Sequence, residues 1–201
     1  MYRTPNHIGI IPDGNRRWAV QNGLNKQDGY EYGLLPGLQL LRAAKLHNIR
    51  EITYYGFTAD NCKRPNEQVE AFVNACLKAA EMIEKEDVTL YVVGNTQSKC
   101  FPSRLLPFTK SRKSDSDKMH VNFLVNYSWE WDMKNNWISR EIPRIDLVIR
   151  WGGMRRLSGF LPLQTVYSDI YVEPTLWPDF NDSQLDAALE WYSHQDVTLG
   201  G

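Results

Sequence analysis

A carboxylate and two arginines follow the first apolar run of the chain. The residues are Asp13, Gly14, Asn15, Arg16 and Arg17, and they come directly after residues 8–11, whose composition predicts a buried strand. A carboxylate is a hard oxygen donor suited to Mg²⁺, and arginine forks match phosphate oxygens. The block therefore predicts a site that holds a divalent cation and a diphosphate. A capped turn with exposed arginines is the alternative that this block leaves open.

Two further polar blocks follow predicted strands. In residues 58–65, small polar side chains precede Lys63 and Arg64 and could contact a second anion, but a loop whose Pro65 starts a helix is the simpler interpretation. In residues 150–158, arginines, glycines and a serine follow an apolar run. We predict anion binding there because arginine binds phosphate oxygens through a planar fork of donors.

Asp169 stands among aromatic residues closer to the end of the chain. It could supply a second carboxylate for the cation held by Asp13. A hydrogen bond within a turn is a common use of aspartate and is the alternative. The sequence contains neither a Gly-x-x-x-x-Gly-Lys-Ser/Thr loop nor a Gly-x-Gly-x-x-Gly motif, which disfavours a nucleotide-binding site.

The elements that must position these blocks alternate along the chain. Apolar, β-branched runs predict strands, and periodic apolar residues between them predict helices at 34–46 and from Pro65 to about Lys85. The strand runs are residues 8–11, 52–57, 88–93, 121–125 and 145–149. This alternation predicts an α/β fold with a parallel sheet. Ligands of such sheets bind beyond the carboxyl ends of the strands, where Asp13, Thr58 and Arg150 stand.

Length and composition narrow the class of protein. The 201 residues predict one domain over residues 1–201, and the formal net charge of −1 requires any anion site to be a local cluster. We expect no nucleic-acid partner, because acidic residues interrupt the charged stretch 110–118 and no aromatic residues interleave with it. We expect no stable membrane insertion, because no apolar run approaches 18 residues. Three scattered cysteines and the lack of a signal sequence predict a cytoplasmic protein.

The order of the blocks resembles the cis-prenyltransferases, the family of undecaprenyl diphosphate synthase. The match covers residues 7 to about 180 and rests on four ordered motifs. They are Asp13-Gly14-Asn15-x-Arg17-Trp18-Ala19, Phe57-Thr58-x-x-Asn61-x-x-Arg64-Pro65, Arg150-x-Gly-Gly-x-x-Arg156-Leu157-Ser158 and Leu176-Trp177-Pro178-Asp179-Phe180. The resemblance implies a central six-stranded parallel sheet flanked by helices, an elongated apolar tunnel and a homodimer.

The resemblance also implies roles for individual residues. It implies Mg²⁺ as cofactor and two diphosphate sites for small-molecule prenyl diphosphates. Catalytic roles fall to Asp13, Asn15, Thr58 and Asn61, and metal binding to Asp13 and Asp169. Substrate binding falls to Gly14, Arg16, Arg17, Trp18, Lys26, Tyr30, Phe57, Arg64, Arg150, Arg156 and Ser158. Of these, Arg150, Arg156 and Ser158 are expected to hold the acceptor diphosphate.

Several positions depart from the motifs of the family. Tyr30, Cys62, Gln68 and Met154 replace its usual residues, and the Asn-Tyr-Gly-Gly-Arg motif reads Asn-Tyr-Ser-Trp-Glu at residues 126–130.

Roughly thirty residues are missing between Tyr127 and Asp146, where there is room for at most one short helix. Trp129, Trp131 and Trp151 are expected to shorten a tunnel or reshape a pocket. Packing in the core or at a dimer interface is the alternative for Trp129 and Trp131.

These departures lead to a first hypothesis of an irregular, short-product transferase. It resembles the lavandulyl and cyclolavandulyl diphosphate synthases and would join two dimethylallyl diphosphates head-to-middle into a branched or cyclised C10 diphosphate. The alternative is a regular short-chain synthase of Z-prenyl diphosphates that uses isopentenyl diphosphate. A third interpretation is a non-catalytic subunit of a heteromeric prenyltransferase, which the intact first motif disfavours.

In either enzymatic reaction, loss of diphosphate leaves an allylic cation, and Mg²⁺ and arginines stabilise the charge of the leaving group. The expelled diphosphate is itself a base for the departing proton.

Overall fold

A central six-stranded parallel sheet organises the computed structural model, which describes residues 3–112 and 117–196. The strand order is β3-β4-β2-β1-β5-β6. The strands are β1 (His7–Ile11), β2 (Glu51–Thr58), β3 (Val88–Val93), β4 (Met119–Tyr127), β5 (Leu147–Arg150) and β6 (Asp169–Val172). The predicted α/β fold with six parallel strands is confirmed.

Helices connect the strands. The α-helices are α1 (Asn15–Gln21), α2 (Gly29–Tyr32), α3 (Leu34–Leu46), α4 (Asn66–Glu84), α5 (Trp129–Lys134) and α6 (Asp182–Ser193). Short 3₁₀ turns occupy Ala59–Lys63, Ser103–Thr109, Ile138–Glu141 and Trp177–Asp179. In the part of the chain that the structure describes, no helix combines the length and hydropathy needed to cross a membrane. Residues 113–116 of the charged stretch lie outside the described residues.

The sheet has a core on each face. On one face, Leu40 of α3, Cys76 of α4 and Ala188 of α6 belong to a single buried cluster with Ile10 of the central strand β1. On the other face the cover comes from connecting segments, and Phe160 is fully buried there. Strands covered on both sides need apolar residues at nearly every position, which is why continuous apolar runs marked them in the sequence.

The connection between β4 and β5 is short. It contains only α5 and the 3₁₀ turn Ile138–Glu141, as predicted for a segment with room for one short helix. The buried carboxylate of Asp132 holds the segment together, because it accepts hydrogen bonds from the Tyr127 hydroxyl at 2.9 Å and from the Ser139 backbone N–H at 3.1 Å.

The pairing register of neighbouring strands places the carboxyl ends of β1, β2, β4 and β5 close together. Ile11 of β1 lies beside Arg150 of β5, and Thr58 of β2 lies beside Tyr127 of β4. The polar blocks after these strands therefore all start at the same edge of the sheet.

Candidate active site

A cleft of about 1000 Å³ lies at the carboxyl edge of the sheet. It collects most of the residues that the sequence singled out, from four separate stretches of chain. The predicted residues that line it are Asp13, Gly14, Asn15, Arg16, Arg17, Lys26, Tyr30, Thr58, Asn61, Arg64, Arg150, Arg156 and Ser158. The polar residues that follow the carboxyl ends of parallel strands lie together at one edge of the sheet, where the ligands of such sheets are expected to bind.

Asp13 and Arg150 form the central ion pair of the cleft. Arg150 is 4% exposed, and its Nη2 lies 2.8 Å from Asp13 Oδ2. Its Nη1 donates to the Ser158 hydroxyl at 3.0 Å and to the backbone carbonyl of Arg156. Arg17 approaches the other carboxylate oxygen at 3.6 Å. One buried guanidinium thus fixes the first motif against the loop after β5.

Two glycines allow this close approach. Gly14 has φ of +117° and Gly152 has φ of +82°, a region that residues with a side chain rarely adopt. A Cβ on Gly152 would also lie 2.4 Å from Arg17 Nη2, whose own hydrogen bond reaches the Gly152 carbonyl at 3.0 Å. Glycine at 152 therefore keeps Arg17 beside Asp13, whereas glycine at 14 leaves room for Leu176.

The segment after β2 forms a second wall of the cleft. The Thr58 backbone N–H donates to Asn61 Oδ1 at 3.1 Å, and the Thr58 side chain accepts from the Asn61 backbone. This reciprocal cap holds the turn Ala59–Lys63 in place. Beyond it, Arg64 donates to the Tyr30 hydroxyl at 2.9 Å and so ties the wall to α2.

The cleft carries an excess of positive charge. Six cationic side chains line it against three carboxylates. The cations are Arg16, Arg17, Lys26, Arg64, Arg150 and Arg156, and the carboxylates are Asp13, Asp60 and Glu130. In a chain with a net charge of −1, this is the local cluster that an anion site requires. The donor set suits a diphosphate.

The residues also fit a magnesium ion bound together with a diphosphate. Asp13 keeps its side chain 34% exposed, and Mg²⁺ is usually held by one or two carboxylates plus substrate phosphate oxygens. Among residues 3–112 and 117–196, no group of three or more His, Cys, Asp or Glu side chains is placed to hold a metal. Arg150 Nε is buried without a hydrogen-bond partner in the same described residues, as expected of a donor that awaits an anion. A metal there would share its coordination with substrate.

Comparison with known proteins agrees with this geometry. A family model described as putative undecaprenyl diphosphate synthase matches residues 11–139 and 133–200. The chain belongs to this family. It is a prenyltransferase of the cis-prenyl diphosphate synthase type, as the four motifs predicted.

Two relatives show how far the similarity extends. The chain is 30% identical to a ditrans,polycis-undecaprenyl-diphosphate synthase, (2E,6E)-farnesyl-diphosphate specific, from Yersinia pseudotuberculosis, over 99% of this chain and 91% of that protein. It is 27% identical to the corresponding synthase of Vibrio vulnificus, over 98% and 90%. The Yersinia alignment spans 232 residues and this chain has 201, so at least 31 residues of the relative have no counterpart here.

A solved structure shares the fold. The crystal structure of lavandulyl diphosphate synthase from Lavandula x intermedia in complex with dimethylallyl diphosphate superposes with a TM-score of 0.81 at 22% identity. The superposition covers 98% of this chain and 99% of that one. The two chains are therefore nearly equal in length.

Two residues predicted to contact substrate lie elsewhere. Trp18 packs against Tyr32 with the rings tilted and 4.6 Å between their centroids, and it donates through Nε1 to Asp179 at 2.6 Å, so it connects α1 to its neighbours. Phe57 is fully buried against Phe72. A bulge between Tyr55 and Phe57 turns Phe57 to the helical face of the sheet instead of the cleft.

The predicted second metal carboxylate is also misplaced. Asp169 begins β6 and lies opposite Leu147 at the amino end of the sheet, where it pairs with Arg3 at 3.5 Å. Asp13 comes after the carboxyl end of β1. Since each strand residue advances about 3.3 Å, the two carboxylates of one chain stand at opposite edges and do not share a cation.

Trp151 does not reshape the pocket as predicted. It is fully buried, and its indole packs edge-on against Trp177 and donates to Gln184 at 2.9 Å. Side chains alternate along a strand, so Trp151 lies on the same face as Ile149 while Arg150 points to the cleft. Trp129 does line the cleft.

Sequence reasoning missed two tyrosines of the cleft. Tyr55 donates to the Ser158 carbonyl at 2.9 Å, and Tyr127 donates to Asp132. Burial raises the pKa of both hydroxyls, so both remain protonated donors at neutral pH. Tyr55 lies inside the apolar run 52–57 and Tyr127 two residues after the run 121–125, and these runs indicate only buried strands. The signal that could have found them is their position near the carboxyl ends of β2 and β4.

A narrow apolar cavity opens from the cleft. It has a volume of about 110 Å³ and lies between the sheet, α3 and α4. The residues shared by cleft and cavity are Pro12, Asn15, Tyr30, Gly56 and Phe72, which form its mouth. The polar groups of two lining aromatics are satisfied, because the Tyr54 hydroxyl donates to the Gly37 carbonyl at 2.8 Å and Trp177 Nε1 donates to the Gly33 carbonyl at 2.9 Å. The cavity wall is therefore suited to a hydrocarbon.

Proposed function

We propose that this protein is a short-chain synthase of Z-prenyl diphosphates that condenses dimethylallyl diphosphate with isopentenyl diphosphate to a C10 product. The apolar cavity carries the proposal. An engineered cavity of about 150 Å³ is enough for the six carbons of benzene, so about 110 Å³ suits one five-carbon prenyl group. A product of eleven prenyl units does not fit this volume.

Different side chains of the cleft would bind the two diphosphates and the metal ion in such a reaction. Arg16, Arg17 and Lys26 would bind the allylic diphosphate with its hydrocarbon in the cavity. Arg156, Ser158 and the buried Arg150 would bind the acceptor diphosphate and place its double bond beside the allylic carbon. Asp13 would hold Mg²⁺, which supplies charge stabilisation to the leaving diphosphate when bound.

Because the arginines are already in position before the reaction, they stabilise the charge of the leaving diphosphate without rearrangement of the site. The family membership of the chain and the names of its relatives favour this regular condensation.

The test is product analysis with the purified protein. It is incubated with Mg²⁺ and either dimethylallyl diphosphate alone or an equimolar mixture with isopentenyl diphosphate, and the dephosphorylated products are identified by mass spectrometry and NMR. We expect a linear C10 alcohol from the mixture. Products of twenty or more carbons would contradict the short-chain assignment.

The head-to-middle condensation of two dimethylallyl diphosphates is the second candidate. One observation favours it, namely that this chain and the lavandulyl diphosphate synthase cover each other almost completely, whereas the undecaprenyl synthases are longer. A branched or cyclic C10 product from dimethylallyl diphosphate alone would establish this reaction in place of the regular one. The non-catalytic subunit is not proposed, because the charged residues of both diphosphate sites line one cleft.

We further propose a homodimer whose interface is formed by the outermost strand of the sheet, at the opposite side of the sheet from β3. Strand β6 lies at this edge, and Ile170 on it is 42% exposed. Leu163, Val166 and Tyr167 in the preceding segment are also exposed. An unpaired edge with apolar neighbours is normally covered. Light scattering at micromolar concentration should give twice the monomer mass of 23.3 kDa, and Val166→Glu should shift it towards the monomer.

A further inference from the structure

Glu130 is a carboxylate in the cleft to which the proposed condensation assigns no role so far. It stands in the first turn of α5 and is exposed. It lines the same cleft as the residues of the two proposed diphosphate sites. The other two carboxylates have cationic partners within the chain, since Asp13, the residue assigned to Mg²⁺, pairs with Arg150 at 2.8 Å and Asp60 pairs with Lys63 at 2.7 Å. Within residues 3–112 and 117–196, Glu130 makes neither a hydrogen bond nor an ion pair. Its negative charge contributes to the raised pKa of Lys63, on the turn after β2. Its oxygens are available to a ligand.

The surroundings of Glu130 place it on the acceptor side of the cleft. Its neighbour Trp129 packs on Gly159, where an added Cβ would lie 2.7 Å from the indole Cδ1. The negative charge of Glu130 also contributes to the raised pKa of Tyr55, whose hydroxyl donates to the Ser158 carbonyl at 2.9 Å. Glu130 therefore lies beside the loop that would bind the acceptor diphosphate.

A carboxylate in this cleft is stabilised by the six cationic side chains that line it, and also by any positive charge that develops on the substrate. Condensation of two prenyl diphosphates creates such a charge. The allylic C–O bond breaks with both electrons leaving on the diphosphate, and the acceptor double bond forms the new C–C bond. The acceptor is then a carbocation, which becomes neutral only when a C–H bond breaks and its electrons form a new double bond. That proton needs an acceptor.

We propose that Glu130 accepts this proton and is the general base of the condensation. The assignment rests on the proposed function and replaces the expelled diphosphate as the base. The carboxylate stabilises the acceptor cation while it forms, takes the proton when the double bond closes, and returns it to water. The base is thus separated from the arginines that bind the leaving group, so diphosphate need not act as both leaving group and base.

The test compares Glu130→Gln with Glu84→Gln, which removes an exposed carboxylate at the end of α4 outside the cleft. A positioned general base contributes a factor of roughly 100 or more. We expect kcat of Glu130→Gln to fall by about this factor while KM for both substrates changes less than threefold. Glu84→Gln should match the wild type. Equal thermal midpoints of all three proteins show that the fold is intact.

Isotopic substitution separates a base from a structural group. With isopentenyl diphosphate deuterated at C2, the carbon that loses the proton, Glu130→Gln should show a larger isotope effect on kcat than the wild type. A wild-type kcat in Glu130→Gln, an unchanged isotope effect, or a higher Mg²⁺ requirement as the sole defect would each overturn the assignment. No product from the wild type with either isopentenyl or dimethylallyl diphosphate as acceptor would overturn the proposed function, and the assignment with it.

Discussion

The role of Arg150 as the buried connection between the two diphosphate sites can be measured directly. Its guanidinium makes three bonds with separate partners, namely the Asp13 carboxylate, the Ser158 hydroxyl and the Arg156 carbonyl. Lysine at this position keeps the positive charge but has a single nitrogen. Arg150→Lys can therefore preserve the ion pair with Asp13 while losing the bonds to the loop after β5.

The magnitude depends on burial. Hydrogen bonds from a charged donor contribute about 1.5–3 kcal/mol each, and water does not replace them at a side chain that is 5% exposed. Loss of two such bonds predicts that the free energy of unfolding falls by about 3–6 kcal/mol. Ser158→Ala removes one hydroxyl and should cost about 1–2 kcal/mol. The double variant should cost little more than Arg150→Lys alone, because the two changes remove the same bond.

The assay is a double-mutant cycle of urea unfolding, monitored by tryptophan fluorescence, on the wild type, both single variants and the double variant. We expect a coupling energy of about 1–2 kcal/mol between Arg150 and Ser158, nearly the whole cost of Ser158→Ala. The same cycle on kcat/KM should show a loss of roughly 100-fold for Arg150→Lys. Effects on unfolding that add within about 0.5 kcal/mol would refute the shared bond, and the link between the two sites with it.

The loop glycine, the apolar cavity and the buried histidine each give a further prediction. Gly152→Ala should cost about 1–2 kcal/mol of stability for its left-handed φ and raise KM for the allylic diphosphate, because the new Cβ displaces Arg17; steady-state kinetics with unchanged KM would contradict this. Ala79→Phe should fill the apolar cavity and raise KM for dimethylallyl diphosphate in steady-state kinetics. Met82→Ala should enlarge the cavity and add products beyond C10, identified by mass spectrometry. Burial lowers the pKa of His7 to about 3 from an ordinary 6.5, so the unfolded chain alone binds this proton between those values and stability should fall below pH 6.5 by up to about 1.4 kcal/mol per pH unit; His7→Gln should remove this part of the slope in urea titrations.

The sequence predicted the strands and the edge of the sheet that carries the site, for a physical reason. Parallel strands covered on both faces are apolar at nearly every position, and the polar residues that follow their carboxyl ends all lie at one edge of the sheet. Strand β6 escaped prediction because residues 169–172 are few and only partly buried, so they lack a continuous apolar run. Asp169 was misplaced for the same reason, since its edge of the sheet depends on where this strand begins.

Other errors came from the face of the strand on which a side chain lies. Alternation along β5 would have placed Trp151 on the helical face with Ile149. Phe57 could not be placed this way, because the bulge at Gly56 shifts the alternation by one residue. The resemblance implied an elongated apolar tunnel, but the volume of the apolar cavity could not be predicted, because it depends on the separation of α3 and α4 from the sheet.

The short connection between β4 and β5 links the departures of this chain from its longer relatives. The Yersinia relative carries at least 31 additional residues, whereas here a buried Asp132 closes a segment of one helix and one turn. This closure fixes the start of α5, so that Trp129 packs on Gly159 and Glu130 lines the cleft. The short connection therefore brings a carboxylate to the acceptor side. Asp132→Ala should then reduce kcat and broaden the products together, and a variant that lost stability with unchanged kcat and unchanged products would separate the two effects.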